Sequence, residues 1–201
     1  VHDKYCNPRG RTGLRGRGML GRYGPNHAAD CIVTRHNPRL ERDEVLLVTK
    51  HAGDASAFAF PAGMVEPGAS VPQTLRAELT EEAVEAGDAI DRLFDECRRG
   101  VVYAGFVDDF RNTDWAWMET TVVHYHATGE VADGLSLRVT DVAEIAGVSW
   151  YGIDEVTEMY ASHYDWLCAV REWLAARADD SRKRAAVEVL VAPDRKRARA
   201  A

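Results

Sequence analysis

The sequence predicts an α/β fold, a mixed β-sheet sandwiched between helices, with a small irregular lobe at the N-terminus. Three observations carry this expectation. Runs rich in β-branched and aromatic residues recur between Ala28 and Tyr151, and helical segments interrupt them without strict alternation, which favours a mixed sheet. A capped amphipathic helix follows Ser70. Residues 7–27 are dense in Gly and Arg and read as an irregular loop carrying cations.

The expected organisation is an Arg/Gly-rich lobe over residues 1–27, a core over 28–176 and a flexible basic tail over 177–201. Within the lobe, Gly16-Arg17-Gly18-Met19-Leu20-Gly21 has the spacing of a dinucleotide fingerprint. No strand precedes it and Tyr23-Gly24-Pro25 stands where its helix should begin, so that reading fails. Strands are expected at Ala28 to Arg35 and Glu44 to Lys50. Phe58-Ala59-Phe60-Pro61 ends an apolar stretch, and Ala62 to Gly68 reads as a turn-rich loop. A helix from Val71 to Glu85 is expected, with Ser70 and Gln73 as capping box and Gly87 as stop. A second helical piece covers Ala89 to Arg98. Strands follow at Gly100 to Phe106, Trp115 to Ala127 and Ala146 to Tyr151, with a polar loop at 107–114. The last helix is expected from Ser162 to Ala176, its apolar positions Leu167, Val170 and Leu174.

Composition narrows the function classes. The chain of 201 residues has apolar and charged fractions of 46% and 28%, as a globular core requires. No apolar run is long enough to span a bilayer, so direct membrane insertion is not expected. The start, Val1-His2-Asp3-Lys4, is not a signal peptide and suggests a segment cut from a longer chain. A net charge of −7 argues against nucleic-acid binding. The charge is uneven, because residues 181–201 carry seven Lys or Arg against Glu188 and Asp194. Such a tail is a solvated terminus or a contact for an acidic partner. Cys6, Cys31, Cys97 and Cys168 are far apart in sequence, which speaks against a Cys-x-x-Cys metal site and suits a reducing compartment.

Chemistry concentrates on the helix after Ser70. Leu75, Leu79 and Ala83 form its apolar stripe, and Glu78, Glu81, Glu82 and Glu85 crowd into an arc beside it. Like charges at i,i+4 repel, by roughly 0.2–0.5 kcal/mol per pair, and a bound cation reverses the sign. Alone, such a face is a solvated helix surface. The Gly-rich turn before it adds an anion site, since backbone N–H groups at a helix start point at negative charge. Together they suggest a divalent ion and a diphosphate, and Mg²⁺ suits carboxylate oxygens, with Mn²⁺ as the alternative.

The strings Pro61-Ala62-Gly63-Met64-Val65-Glu66-Pro67-Gly68 and Glu78-Leu79-Thr80-Glu81-Glu82 resemble the Nudix box. Gly63, Glu78, Leu79, Glu81 and Glu82 match in register, while Ala69 replaces the family's Glu and Ala77 its Arg. Longer strings, Asn7 to Gly18, Gly24-Pro25-Asn26-His27, Asp108 to Asp114 and Tyr160-Ala161-Ser162-His163, resemble ADP-ribose pyrophosphatases and the homologous domain of melastatin-type cation channels. The resemblance covers about residues 7–170 and implies the Nudix fold. It implies hydrolysis of ADP-ribose to AMP and ribose 5-phosphate, with Glu78, Glu81 and Glu82 as metal ligands. It places Gly63, Arg15, Asp109, Arg111, Tyr160 and His163 at the substrate. Glu119, on the long strand, is either a further ligand, the base that activates water, or an outward strand residue. His124 and His126 share a strand face and read as structural, and Trp115 and Trp117 as packing residues. The expected setting is the cytosolic face of a channel polypeptide, or else a mitochondrial or cytoplasmic enzyme. The competing functions are a sensor that binds ADP-ribose without turnover and an adaptor whose basic tail meets an acidic partner.

Overall fold

The computed structural model describes residues 5–52 and 55–191, with side chains over 5–51 and 57–179. Seven strands form one mixed sheet among these residues. They are β1 (Gly24–Asn37), β2 (Arg42–Ala52), β3 (Ala55–Ala59), β4 (Ala62–Met64), β5 (Arg98–Val107), β6 (Ala116–Ala127) and β7 (Ile145–Gly152). The order is β3-β2-β1-β6-β5, with β4 added to β1 and β7 to β2. β1 and β6 run parallel from Gly24 beside Ala116 to Arg35 beside Ala127, and the other pairs are antiparallel. The helices are α1 (Val71–Glu82), α2 (Asp88–Glu96), α3 (Gly129–Gly134) and α4 (His163–Val191), with a 3-10 turn at Ile153–Glu155.

Strand alternation divides the core into two layers. Ala29, Cys31, Val33, Leu46, Val48, Val123 and Tyr125 face one way and pack on Leu75 and Leu79 of α1 and Leu93 of α2. Ile32, Val45, Leu47 and Val122 face the other way and pack on Trp166, Leu167, Val170 and Leu174 of α4. Leu75 and Leu79 are fully buried, each worth roughly 1.5–3 kcal/mol of apolar burial. The mixed α/β sandwich is the expected architecture.

Boundaries differ where tertiary contacts override local pattern. β1 begins four residues before the expected start, because Gly24 to His27 pair with Ala116 to Glu119. Ala62–Met64, expected as loop, is a short strand held on Ala28 to Asp30. α1 stops at Glu82 rather than Glu85. There Val84 leaves the helix to bridge Leu137, and Glu85 accordingly donates its N–H to the Ser136 carbonyl. Glu85 thus leaves the acidic arc and pairs with Arg138. α4 continues to Val191, past the expected end at Ala176, so part of the basic segment is helical. Residues 1–4 and 192–201, and with them the start and end of the chain, lie outside the described residues.

Among the described residues, the N-terminal lobe has no helix or strand before β1, yet it is tied tightly to the 113–116 turn. The Asn7 side-chain amide donates to the Thr113 carbonyl at 3.0 Å. The Asp114 carboxylate accepts from the Thr12 and Gly13 N–H groups. Thr113 Oγ1 donates to the Gly16 carbonyl at 2.7 Å. Gly18 has φ +59°, and a Cβ there would crowd the Thr113 methyl at 2.9 Å.

Candidate active site

α1 begins at Ser70, whose N–H and hydroxyl both donate to Gln73 Oε1 at 2.8 and 2.9 Å. Pro72 sits in the first turn, where its missing N–H costs nothing. Leu75 and Leu79 lock the helix on the sheet, and that rotation turns Glu78, Glu81 and Glu82 towards β4 and the preceding loop.

The three glutamates sit in different environments. Glu82 is buried and doubly held: Oε1 accepts from Lys50 Nζ at 3.1 Å and Oε2 from the Ala62 N–H at 3.0 Å. Burial raises its pKa, while Lys50 and the Ala62 N–H oppose that rise. Glu78 lies directly over Gly63, and a Cβ at Gly63 would run into the Glu78 carboxyl group. Burial, then the charges of Glu82 and Glu81, raise the Glu78 pKa to about 7. Glu81 is exposed. A cleft of about 660 Å³ opens beside Glu78 and Glu81, floored by Ala69, Ala77 and Thr74. The two positions where the family carries Glu and Arg are therefore walls of open space.

Lys50 was missed in the sequence, where it reads as the end of a strand. It could be found only through the fold, which sets β2 across from the last turn of α1. Asp30 was missed for the same reason. Buried on β1, it accepts from the Thr120 hydroxyl at 2.5 Å and lies 3.4 Å from His163 Nε2. Burial lifts its pKa to about 6.

His163, expected at the substrate, is turned inward. Its Nδ1 accepts from the Phe60 N–H at 2.9 Å, which leaves the proton on Nε2 facing Asp30. Burial depresses its pKa to about 3, so the ring is neutral. Its neighbour Tyr160 is partly exposed, with the ring edge-on to His163 at 6.0 Å.

Asp109 and Arg111 form a fork, Nε to Oδ1 at 2.8 Å and NH2 to Oδ2 at 2.7 Å. Burial would raise the Asp109 pKa, but the Arg111 hydrogen bonds outweigh it and hold the carboxyl below its usual value. Phe110 between them is exposed, and Asp109 lines a cleft of about 620 Å³ shared with Arg9, Arg11 and Phe106. Arg15 is exposed on the lobe surface.

Glu119 is paired in register with His27 and lies on the sheet face that α1 covers. Trp117 Nε1 donates to its Oε1 at 2.8 Å, and its Oε2 is 3.8 Å from His27 Nδ1. His124 and His126 point away from this site. Both meet the Thr34 hydroxyl, at 2.7 and 2.9 Å, and pack on Trp173.

Among the described residues no three His, Cys, Asp or Glu side chains close a metal cage on their own. The donors at α1 are all carboxylate oxygens, which suits a hard ion such as Mg²⁺. That ion keeps several waters and takes part of its shell from phosphate oxygens. Gly63 leaves the space that brings Glu78 to Glu82.

Comparison with known proteins bears on most of the chain. A family model described as NUDIX domain matches residues 25–170. The mitochondrial ADP-ribose pyrophosphatase of Rattus norvegicus is 41% identical over 192 residues, covering 83% of this chain and 53% of that protein. A transient receptor potential cation channel subfamily M member-like 2 of Nematostella vectensis is 42% identical over 176 residues. That match covers 78% of this chain and 11% of the channel. The chain thus spans about half of the rat enzyme and a small part of the channel. The NUDIX domain of Shewanella oneidensis NrtR, solved with ADP ribose, superposes with a TM-score of 0.56 at 15% identity. It covers 86% of this chain and 95% of its own, a likeness of fold. On the match over 25–170 and the identity to these relatives, the chain belongs to the NUDIX family.

Proposed function

We propose that the chain hydrolyses ADP-ribose to AMP and ribose 5-phosphate in a reaction that depends on Mg²⁺, with Mn²⁺ as a substitute. The observation that carries this reading is the asymmetry at α1. Glu82 is anchored on both oxygens, while Glu78 and Glu81 bring to an open cleft carboxylates that make no ion pair among the described residues. The rat relative's name and the ADP ribose of the NrtR structure supply the substrate class.

Glu78, Glu81 and Glu82 would hold the ion. When bound, it neutralises diphosphate charge and makes a bound water more acidic. Glu119, oriented by Trp117, is the candidate acceptor for the proton of the attacking water. Water adds to one phosphorus, the bridging P–O bond breaks, and its oxygen leaves with the other phosphate. Arg111 is the residue suited to grip a phosphate by its fork, with Asp109 fixing its plane and Tyr160 beside it. Arg15 offers a further cation from the lobe.

The identity to channel relatives favours a second reading, in which the chain is the cytosolic domain of a channel polypeptide and senses ADP-ribose. Among the described residues no helix is long and apolar enough to cross a membrane. One assay separates turnover from sensing: the chain is incubated with ADP-ribose and Mg²⁺, and AMP is followed by chromatography. Saturable binding without AMP would leave the sensor reading alone standing.

A further inference from the structure

Carboxylates crowd the last turn of α1: the charge of Glu82 acts on Asp30 and Glu78, that of Glu81 on Glu78, and that of Glu144 on Glu78 and Glu82. Lys50 is the cation among them. Its Nζ lies 3.1 Å from Glu82 Oε1, and its charge also reaches Asp30 and Glu78.

The other local cations are spent elsewhere. Arg76, on the same helix, pairs with Asp91 and lies over the Phe94 ring. Arg138 pairs with Glu85. Ala77 brings no charge to the cleft it lines. Among the described residues, neither Glu78 nor Glu81 makes an ion pair.

The placement of Lys50 is built into the sheet. β2 is paired on both sides, with β1 at Arg42–Val45 and β3 at Val48–Ala52 on one side and β7 on the other, so Lys50 is held between Ala57 and Ile145. The β2–β7 register shifts between Thr49 and Lys50: Thr49 faces Gly147 while Lys50 faces Ile145. Such a bulge re-aims a side chain, and here it falls at the residue that meets Glu82.

We infer that Lys50 is the positioning cation of this metal site: it holds Glu82 in place and offsets the glutamates' mutual repulsion before an ion arrives. The inference rests on the metal-binding reading of Glu78, Glu81 and Glu82. Lys50 does not touch substrate; it acts through Glu82. Its ammonium pairs with Oε1 while the Ala62 N–H holds Oε2, and the remaining lone pairs of both oxygens stay free for an ion. Removing the charge leaves the glutamates without the one ammonium that pairs with them among the described residues, and Glu82 is then free to swing away from the ion's position.

The test is Mn²⁺ titration of the full chain, followed by electron paramagnetic resonance, in wild type, Lys50→Met, Lys50→Arg, Glu82→Gln and the Lys50→Met/Glu82→Gln double variant. Wild type should bind Mn²⁺, Lys50→Met should bind it about tenfold or more weakly, and Lys50→Arg should stay close to wild type because it keeps charge and donors. The double variant should lose less than the sum of the single losses, since both act through one contact. Lys50→Gln replaces Lys50→Met should the latter fail to fold by circular dichroism. Unchanged Mn²⁺ binding in Lys50→Met overturns the inference and leaves the metal site standing. Equal weakness in Lys50→Arg and Lys50→Met, or additive losses in the double variant, overturns it as well. A wild-type chain that binds no Mn²⁺ overturns the metal reading and this inference together.

Discussion

Two regions of the molecule hold ionisable groups near the candidate site, and they are balanced in opposite ways. On α1, Lys50 pairs with Glu82 and its charge reaches Glu78, yet Glu78 is left with its pKa raised to about 7. On the 107–114 loop, Asp109 and Arg111 satisfy one another through two hydrogen bonds, and Asp109 stays ionised more readily than usual. The first region carries charge that the described residues do not match, which is the charge the proposed metal ion would meet. The second is complete in the resting chain, so a ligand must share or reopen the fork. Unmatched charge commits a site to a ligand class, whereas a matched pair supplies a preset geometry that costs little to keep.

The comparison breaks most readily at α1. Glu81→Ala/Glu82→Ala should lower AMP formation by more than roughly 100-fold, and should also lower the melting temperature, because Glu82 gives up its buried contacts with Lys50 and the Ala62 N–H. Retained turnover in that variant would remove these residues from the metal site. Gly63→Ala comes next. Its new Cβ meets the end of the Glu78 side chain, which swings aside more easily than backbone. Activity should therefore fall roughly 10- to 100-fold while thermal stability barely moves; a loss of stability in step with activity would show that Gly63 serves the strand instead. The loop should respond more gently. Arg111→Lys keeps the charge but loses the fork, at about 1.5 kcal/mol, so KM for ADP-ribose should rise about tenfold with kcat nearly constant. A fall in kcat at constant KM would move Arg111 from binding to chemistry.

The sequence displays what is local. The Ser70 and Gln73 cap, the Leu75 and Leu79 stripe, and the spacing of Glu78, Glu81 and Glu82 all follow from contacts within one helical turn. Glu85 shows the limit of that reasoning: helical spacing places it with the others, but Val84 gains more from the Leu137 bridge than from another helical turn. β4 was read as loop because three residues carry no period, and only its pairing with β1 makes it a strand. Lys50 and Asp30 were invisible for a related reason. Each meets the glutamate site across the sheet, at 32 and 52 residues from Glu82, and no short-range pattern encodes such a contact. His163 shows a different limit. Its string suggested the ligand, whereas both ring nitrogens serve the backbone of Phe60 and the carboxyl of Asp30.

The smallest expected effect is also the one that probes the unmatched charge most directly. In the metal-free chain Glu78 has a folded pKa of about 7 against 4.5 for the free group. A carboxyl raised on folding keeps a proton that the unfolded chain has lost, so its contribution to stability falls as pH rises from about 4.5 to about 7. Asp30 does the same between 3.8 and about 6. The buried histidines act in the other direction: His124, His126 and His163 have pKa values depressed from 6.5 to about 3, 4 and 3, and they lose stability as pH falls below 6.5. Among these groups Glu78 changes its proton occupancy closest to pH 7, with Asp30 about a unit lower. An ion that binds ionised Glu78 must displace that proton, so Mg²⁺ affinity should rise with pH by up to about tenfold per unit below 7 and then level off. In thermal melts the Mg²⁺-induced rise in Tm should accordingly grow by at most about 5 °C between pH 6 and 8. Glu78→Gln should flatten that dependence. A Tm rise equally large at pH 6 and pH 8 in the unaltered chain would mean that Glu78 enters the site already ionised, and that the glutamates of α1 are better matched than Lys50 alone can make them.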